Sequence, residues 1–420
     1  MLHLARALRA QGREVVLATH GGPYARVLEE ANEPYERLTP QMDDARCARF
    51  IDDLVQIGKP GVRLLSREEV RASVDAEARF LRERRAEAVV IGFTLTAYLS
   101  ARVAGIPLVA SHGGSFVPPV FERGLLPVPM TMPIPGTSWL PSFIKRAIAN
   151  AGPERLTGPV AFLNELADEL GVERVPSLAA LMLGDLTLVT DVPEVLGVPR
   201  DELAAWRPRR PNAYRRSTKL VYTGPLFARL DRPIPPAVTS FLDGAKPTAY
   251  VVLSSVKADF LHAVVARVRA AGLRVIVGAT IHDLGESGDP EIITAGVLPS
   301  HLIMPKVDVA VIMGGQGTVQ TAMASGTPFV GIPLQPEQEL NVSLAHRHGL
   351  AIPIAPRHAV GPRLTKAVAR LVNEPHHREA ARRVRGFYEG VDGAKLGATE
   401  IVAYLQRAPG SVEASGAVPS

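Results

Sequence analysis

The chain has 420 residues, 46% hydrophobic and 21% charged, with a net charge of +5. This is globular material for two or three domains, and so mild a positive charge does not call for nucleic acid as a partner. A single cysteine, Cys47, excludes an intramolecular disulfide and a cysteine-based zinc site; with no signal-peptide pattern and no apolar run long enough to span a bilayer, a cytoplasmic protein is expected.

In chain order, residues 1–10 read as a helix, with Leu4 and Leu8 one turn apart and Gly12 as its stop. A strand follows at 14–19, ending at His20, Gly21 and Gly22. Next come a helix at 24–31, a strand at 35–38, and helices at 46–57 and 67–84 separated by a glycine–proline stretch at 58–61. A strand at 88–91, a helix at 94–104 stopped by Gly105, and a strand at 106–110 complete a βαβ alternation. That pattern predicts one layer of parallel sheet. A doubly wound domain opens on a strand, so a helix-first chain predicts a further strand ahead of residue 1. Without it, its neighbours in the sheet keep unpaired backbone groups, each costing roughly 1–3 kcal/mol when buried.

Residues 111–141 differ in kind: they are rich in Gly, Pro and Met. Repeated prolines forbid a regular helix or central strand, and the apolar content reads as the lining of a pocket or as a loop over the core. His112 and His20 both fall at strand ends, where open α/β sheets bind ligands. Each is a turn histidine or a weak candidate for a catalytic base. Residues 144–170 and 177–183 read as helical, and 186–190 as a strand. Residues 206–219, with interleaved aromatics and arginines, read as a solvated loop rather than a nucleic-acid surface. Residues 230–247 are proline-rich and read as a linker.

Beyond the linker, strands are expected at 250–253 and 273–279 around a helix at 259–271. The most informative stretch is 308–341. Residues 308–312 are a buried strand; Gly314, Gly315 and Gly317 form a turn that lets a ligand approach the backbone. Thr318 is expected to cap a helix at 319–325, whose N–H groups suit a phosphate. Gly326 and Pro328 end that helix, 329–332 is the next strand, and Glu337 and Gln338 fall in the loop after it. Helices at 364–373, 378–390 and 398–407 follow, then a small polar tail at 408–420 that reads as disordered.

This run resembles the donor-binding signature of nucleotide-sugar glycosyltransferases of the two-domain GT-B type, in particular the bacterial macrolide- and flavonoid-type enzymes. Gly314, Gly315, Gly317, Thr318, Gly326, Pro328, Pro333 and Gln338 match it. Glu337 replaces an aspartate, Met313 the histidine that grips the donor diphosphate, and Thr321 a glutamate that holds the ribose. Val297 stands in place of a tryptophan against the nucleobase. Gly92 and Phe93 stand where the family often has the aspartate that holds its catalytic histidine.

The resemblance implies an α/β protein of two Rossmann-like domains facing across a cleft: an acceptor domain at 1–229, a linker at 230–247 and a donor domain at 248–407. It implies transfer of a sugar from a uridine or thymidine diphosphate donor to a hydroxyl of a small apolar acceptor, with no cofactor and no metal. Ser254, Gly315, Gln316, Gly317 and Thr318 would hold the diphosphate, Val297 the base, and Glu337 with Gln338 the sugar. Gln316 is the expected substitute for the histidine lost at Met313. The catalytic base is not legible, which leaves a catalytically silent relative as the alternative; an epimerase of similar architecture lacks the extra acids it needs near Gly314. The sequence carries no sign of oligomeric state.

Overall fold

Among the described residues, short apolar runs rich in β-branched residues form twelve strands, every pairing parallel, with helices between them. The structure, a computed structural model, describes residues 1–22, 25–55, 62–129, 139–215, 218–227, 229–230, 232–253, 256–278 and 287–407. Ser254, the stretch 58–61, the tail 408–420 and part of the proline-rich segment, 130–138, lie outside the described residues.

In the first half β1 (Leu17–Gly21) pairs with β2 (Tyr35–Met42). A separate sheet runs in the order β3 (Val89–Ile91), β4 (Leu108–His112), β5 (Leu186–Val189), β6 (Lys219–Tyr222). The single layer expected is therefore two sheets, and among the described residues β1 and β3 each have a strand on one side only. Shared helices hold the two together. The helix Arg67–Glu83 packs on β2 and on the helix Ala97–Ala104, which packs on β3 and β4. β1 begins three residues later than expected, because Val15 and Val16 lead into the strand rather than lie within it.

Two other expectations change. The linker contains a helix, Pro236–Leu242, anchored by buried Val238 and Phe241. The basic stretch 206–219 is a solvated loop only in part: Arg207, Arg209 and Arg210 are exposed, 216 and 217 lie outside the described residues, and the aromatics are engaged. Trp206 Nε1 donates to Glu122 at 2.9 Å, the Tyr214 hydroxyl donates to Glu154 at 3.0 Å, and Tyr214 and Arg215 are buried. Its aromatics are spent on the fold, where alternation with arginine looks the same in sequence.

The second half is one sheet in the order β12-β11-β10-β7-β8-β9: β7 Thr248–Val252, β8 Arg274–Gly278, β9 Ile292–Ala295, β10 Val309–Ile312, β11 Phe329–Gly331 and β12 Ala351–Pro353. Alternate residues enter different cores. Tyr250, Ile276 and Ala310 face one way; Ala249, Val251, Val275, Val309 and Val311 face the other. Burial on both faces explains why these strands read as unbroken apolar runs. Helices Ala258–Arg269 and Pro362–Asn373 cover the second face with Leu261, Val264, Leu364 and Val368. Strand order reverses between β7 and β10, so a crevice opens beyond the carboxyl ends of those two strands.

The chain crosses between halves twice, and the crossings touch. A Cβ on Gly224, whose φ is +82°, would lie 2.2 Å from Val391 Cγ1; one on Gly393 would lie 2.2 Å from the Pro225 carbonyl. The last helix, Gly393–Arg407, then packs on the first half, where Ala398 and Ile401 meet Leu4, Leu8 and Leu188. No helix among the described residues is long and apolar enough to cross a membrane.

Candidate functional site

The crevice at the β7–β10 reversal is built from one glycine turn. β10 is wholly buried and delivers Met313 into the same core as Leu253, Val256 and Ile332. Met313, 9% exposed, is thus a packing residue rather than a ligand-facing one. Gly314 has φ +103°, and a Cβ there would lie 2.7 Å from Val342 Cγ2 and 2.9 Å from the Gln338 carbonyl. It is required both by its backbone and by the close approach of the helix Pro336–Arg347. Gly315 and Gly317 differ: a Cβ on either meets nothing within 4 Å. They border open space, as a ligand-facing turn should.

The helix begins at once, at Gln316–Ser325, with Gly315 as N-cap and no side-chain cap. Thr318 therefore does not cap it; it lies inside the first turn, where its own N–H already reaches the Gly315 carbonyl at 3.1 Å. Gly315 puts no side chain of its own over the helix start, and the first turn presents partial positive charge, part of it already met by the Glu337 carboxyl, which accepts from the Gln316 N–H. Thr321 is back-bonded to the Gly317 carbonyl at 2.7 Å.

Glu337 and Gln338 are not in a loop but in the first turn of the helix Pro336–Arg347, after Pro336 at its first position. Burial pushes the Glu337 carboxyl above its ordinary range, against the pull of hydrogen bonds from Asn341 and from the Gln316 N–H. Glu337 is thereby fixed beside the helix start. Asn341 was not singled out by sequence; its amide donates both to Glu337 and to the Gly314 carbonyl at 3.0 Å. Its position four residues after Glu337, on one helix face, is the signal that could have found it. Gln338 is buried, and its carbonyl oxygen accepts from the Leu334 N–H at 2.8 Å, which leaves its NH₂ as the group with donors to offer. Val297 is 43% exposed, just past β9.

Gln316 does not point at the open space. Its amide donates to Thr190 Oγ1 at 2.7 Å and to the Thr190 carbonyl at 3.2 Å, across the cleft. Gln320 donates to the same carbonyl. A Cβ on Gly113 would lie 2.6 Å from the Gln316 side-chain oxygen, so Gly113 permits the contact. Thr190 in turn donates from N and Oγ1 to the His112 carbonyl, at 2.9 and 3.0 Å. The two halves are thus latched at the mouth of the crevice. Next to the latch, Asp191 is buried; burial pushes its carboxyl up to about 7, against hydrogen bonds from the Val192 N–H, Gln320 and Tyr388.

Neither histidine raised by sequence is poised as a base. The His112 ring is buried and pushed down to about 4, with Nε2 donating to the Phe116 carbonyl at 3.3 Å. His20 uses both ring nitrogens: Nδ1 on the Pro40 carbonyl and Nε2 on Glu77, each at 2.9 Å. Burial lowers its affinity for a proton, but the Glu77 hydrogen bond and charge outweigh that and hold it raised. Glu77 also accepts from Thr96 and Ser100, so His20 ties β1 to the helices over β3.

Two cavities among the described residues differ in their relation to the crevice. One of 170 Å³ lies between the proline-rich segment and the helix Pro336–Arg347, lined by Val120, Leu126, Leu340 and Leu344, with Ser115 carrying a buried hydroxyl that has no partner. The larger, 350 Å³, sits at the crossover beside Pro225 and Gly393 and touches none of the crevice residues.

No family model matches this sequence. A PGL/p-HBAD biosynthesis glycosyltransferase of Mycobacterium tuberculosis is 27% identical over 324 residues, 75% of this chain and 70% of that protein. A PGL/p-HBAD biosynthesis rhamnosyltransferase of Mycobacterium bovis is 26% identical over 347 residues, 80% and 70% of the two chains. The crystal structure of the glycosyltransferase VinC in complex with DTDP superposes with a TM-score of 0.62 at 18% identity, over 97% of this chain and 96% of that one. The fold is GT-B, with two Rossmann-like halves.

Proposed function

We propose, from the place of this chain among the GT-B glycosyltransferases, that it transfers a sugar from a nucleotide diphosphate donor to a hydroxyl of a small apolar acceptor. One observation carries the reading: the start of the helix Gln316–Ser325 opens at the strand-order reversal, with free space at Gly315 and Gly317 and with the Glu337 carboxyl on the Gln316 N–H. The Gly317 N–H and the dipole of this helix would take up the charge that develops on the leaving diphosphate, a role a metal plays elsewhere. Glu337 and the NH₂ of Gln338 offer an acceptor and a donor, which suits sugar hydroxyls. Val297 borders the position for the base, and Ser254 is proposed for the phosphate on sequence alone. We place the acceptor domain at 1–229 and the donor domain at 248–407, with the last helix returning to the first, and we place the protein in the cytoplasm. An acceptor of the PGL/p-HBAD kind is proposed by likeness to the named relatives, and of the two donor types, uridine and thymidine, the DTDP complex of VinC supports the thymidine one.

The alternative, a catalytically silent relative, is favoured by a specific set of contacts. Met313 is in the core, His20 is fully engaged, and the buried His112 ring holds its proton only below about 4. One experiment separates the readings. Incubate the full chain with TDP- and UDP-sugars and phenolic or aglycone acceptors, following glycoside by mass spectrometry and donor binding by calorimetry. Glycoside formation supports the transferase; donor binding without transfer or donor hydrolysis supports the silent relative; no donor binding removes both.

A further inference from the structure

Away from the crevice, the sequence Glu374-Pro375-His376-His377 joins two helices, Pro362–Asn373 and Pro375–Gly386. Pro375 opens the second helix, which puts both histidines in its first turn and Glu374 at its cap. The His377 side chain is 8% exposed. Its Nδ1 lies 2.6 Å from the Gly349 carbonyl, which can only accept, so Nδ1 carries the proton and Nε2 presents a lone pair. That Nε2 is buried and has no hydrogen-bond partner. It faces Glu374 Oε2 at 3.5 Å, and His376 Nε2 lies 3.7 Å from the same oxygen. All three atoms are within 4.8 Å of one another.

We propose that Glu374, His376 and His377 form a binding site for a zinc-type divalent cation. A tetrahedral ion with ligands at about 2.1 Å needs them about 3.4 Å apart, close to both separations from the carboxylate oxygen. A histidine whose second nitrogen donates to a backbone carbonyl is oriented and made more basic, as metal-ligating histidines are. The fourth position is open to water on the exposed His376 side. Two features oppose the ion and set a modest affinity. The ligands stand at a helix start, where positive charge is disfavoured. Arg370 also holds the same carboxylate, with Nε on Oε1 at 2.9 Å and Nη2 on Oε2 at 3.2 Å. Through His377 and Gly349, the ion would fasten the far end of the helix Pro336–Arg347, whose first turn carries Glu337, to the helix pair at 362–386. This inference does not depend on the transfer reading.

The test uses the untagged full chain with cobalt chloride alone, followed by visible absorption, and zinc chloride alone, followed by calorimetry. One equivalent should bind, with the intense visible band of four-coordinate cobalt. His376→Ala, at an exposed position, and Glu374→Gln should each weaken binding at least about tenfold. Arg370→Ala should tighten it, because it removes a competing cation. Absence of the cobalt band, or a band that survives both ligand substitutions, overturns the site. So does an Arg370→Ala protein that binds no tighter than the parent.

Discussion

Replacing Gly317 by Asp puts the helix-start reading at risk in two measurements at once. Gly317 is the second residue of the helix Gln316–Ser325, and a Cβ there meets nothing within 4 Å. Removing a glycine from a helix gains about 0.5–1 kcal/mol, and a carboxylate in the first turn gains about 0.3–1 kcal/mol against the helix dipole. The free protein should therefore be more stable by roughly 1 kcal/mol. Donor binding should move the other way. A carboxylate about 5 Å from one phosphate charge, at an effective dielectric of about 20, is repelled by roughly 3 kcal/mol. That is a loss of about 100-fold in donor affinity. Gly317→Ala supplies the control: it gains the helix term without the charge, and should change affinity far less. Denaturant unfolding and calorimetry with UDP- and TDP-sugars read the two quantities. A Gly317→Asp protein that is folded and binds donor as tightly as the parent would refute the placement of the diphosphate at this helix.

Gln316→Ala should lower stability by about 1–2 kcal/mol through loss of the two hydrogen bonds to Thr190, and change donor affinity less than about threefold; a tenfold loss by calorimetry would put the amide on the donor instead. Gly314→Ala combines a φ of +103° with approaches of 2.7 and 2.9 Å, and should cost roughly 2–5 kcal/mol in denaturant unfolding; a stable variant would mean that the turn can relax. Asp191, with its carboxyl raised from 3.8 to about 7, stays protonated in the fold where it ionises in the unfolded chain. Its stabilising contribution is complete below about pH 4 and is lost as pH rises towards and through 7, so Asp191→Asn should flatten unfolding curves over that range. An unchanged pH profile in Asp191→Asn would show that the carboxyl is already charged.

Much of the crevice was legible because its parts are local. A buried parallel strand, a glycine turn and the next helix follow one another within 308–325, and each leaves a mark in the residues themselves. What was missed depends on partners distant in sequence. Glycine spacing could not divide the turn into Gly314, required for packing against Val342, and Gly315 and Gly317, open to solvent. Gln316 looked like a phosphate donor because a side-chain amide suits either role; only Thr190, 126 residues away, decides it. The same holds for the basic stretch 206–219, whose aromatics are claimed by Glu122 and Glu154.

The latch changes what the site must do to work. Gln316 belongs to the helix whose start is open to a donor, yet its side chain is held by the opposite half. If the donor binds at this helix start, donor binding and closure of the cleft share one helix turn. A diphosphate that drew the first turn towards itself would act on Thr190, and through Thr190 on the His112 carbonyl at the end of β4. Such coupling equals the difference in donor affinity between latched and unlatched states, so the less than threefold effect expected of Gln316→Ala bounds it at about 0.7 kcal/mol. Gly113 sets the geometry of the contact, because a Cβ there would lie 2.6 Å from the Gln316 side-chain oxygen. The residues that hold the halves together are thus neighbours of the groups that would bind the donor, and a substitution at Gly113 tests the latch while leaving the helix start intact.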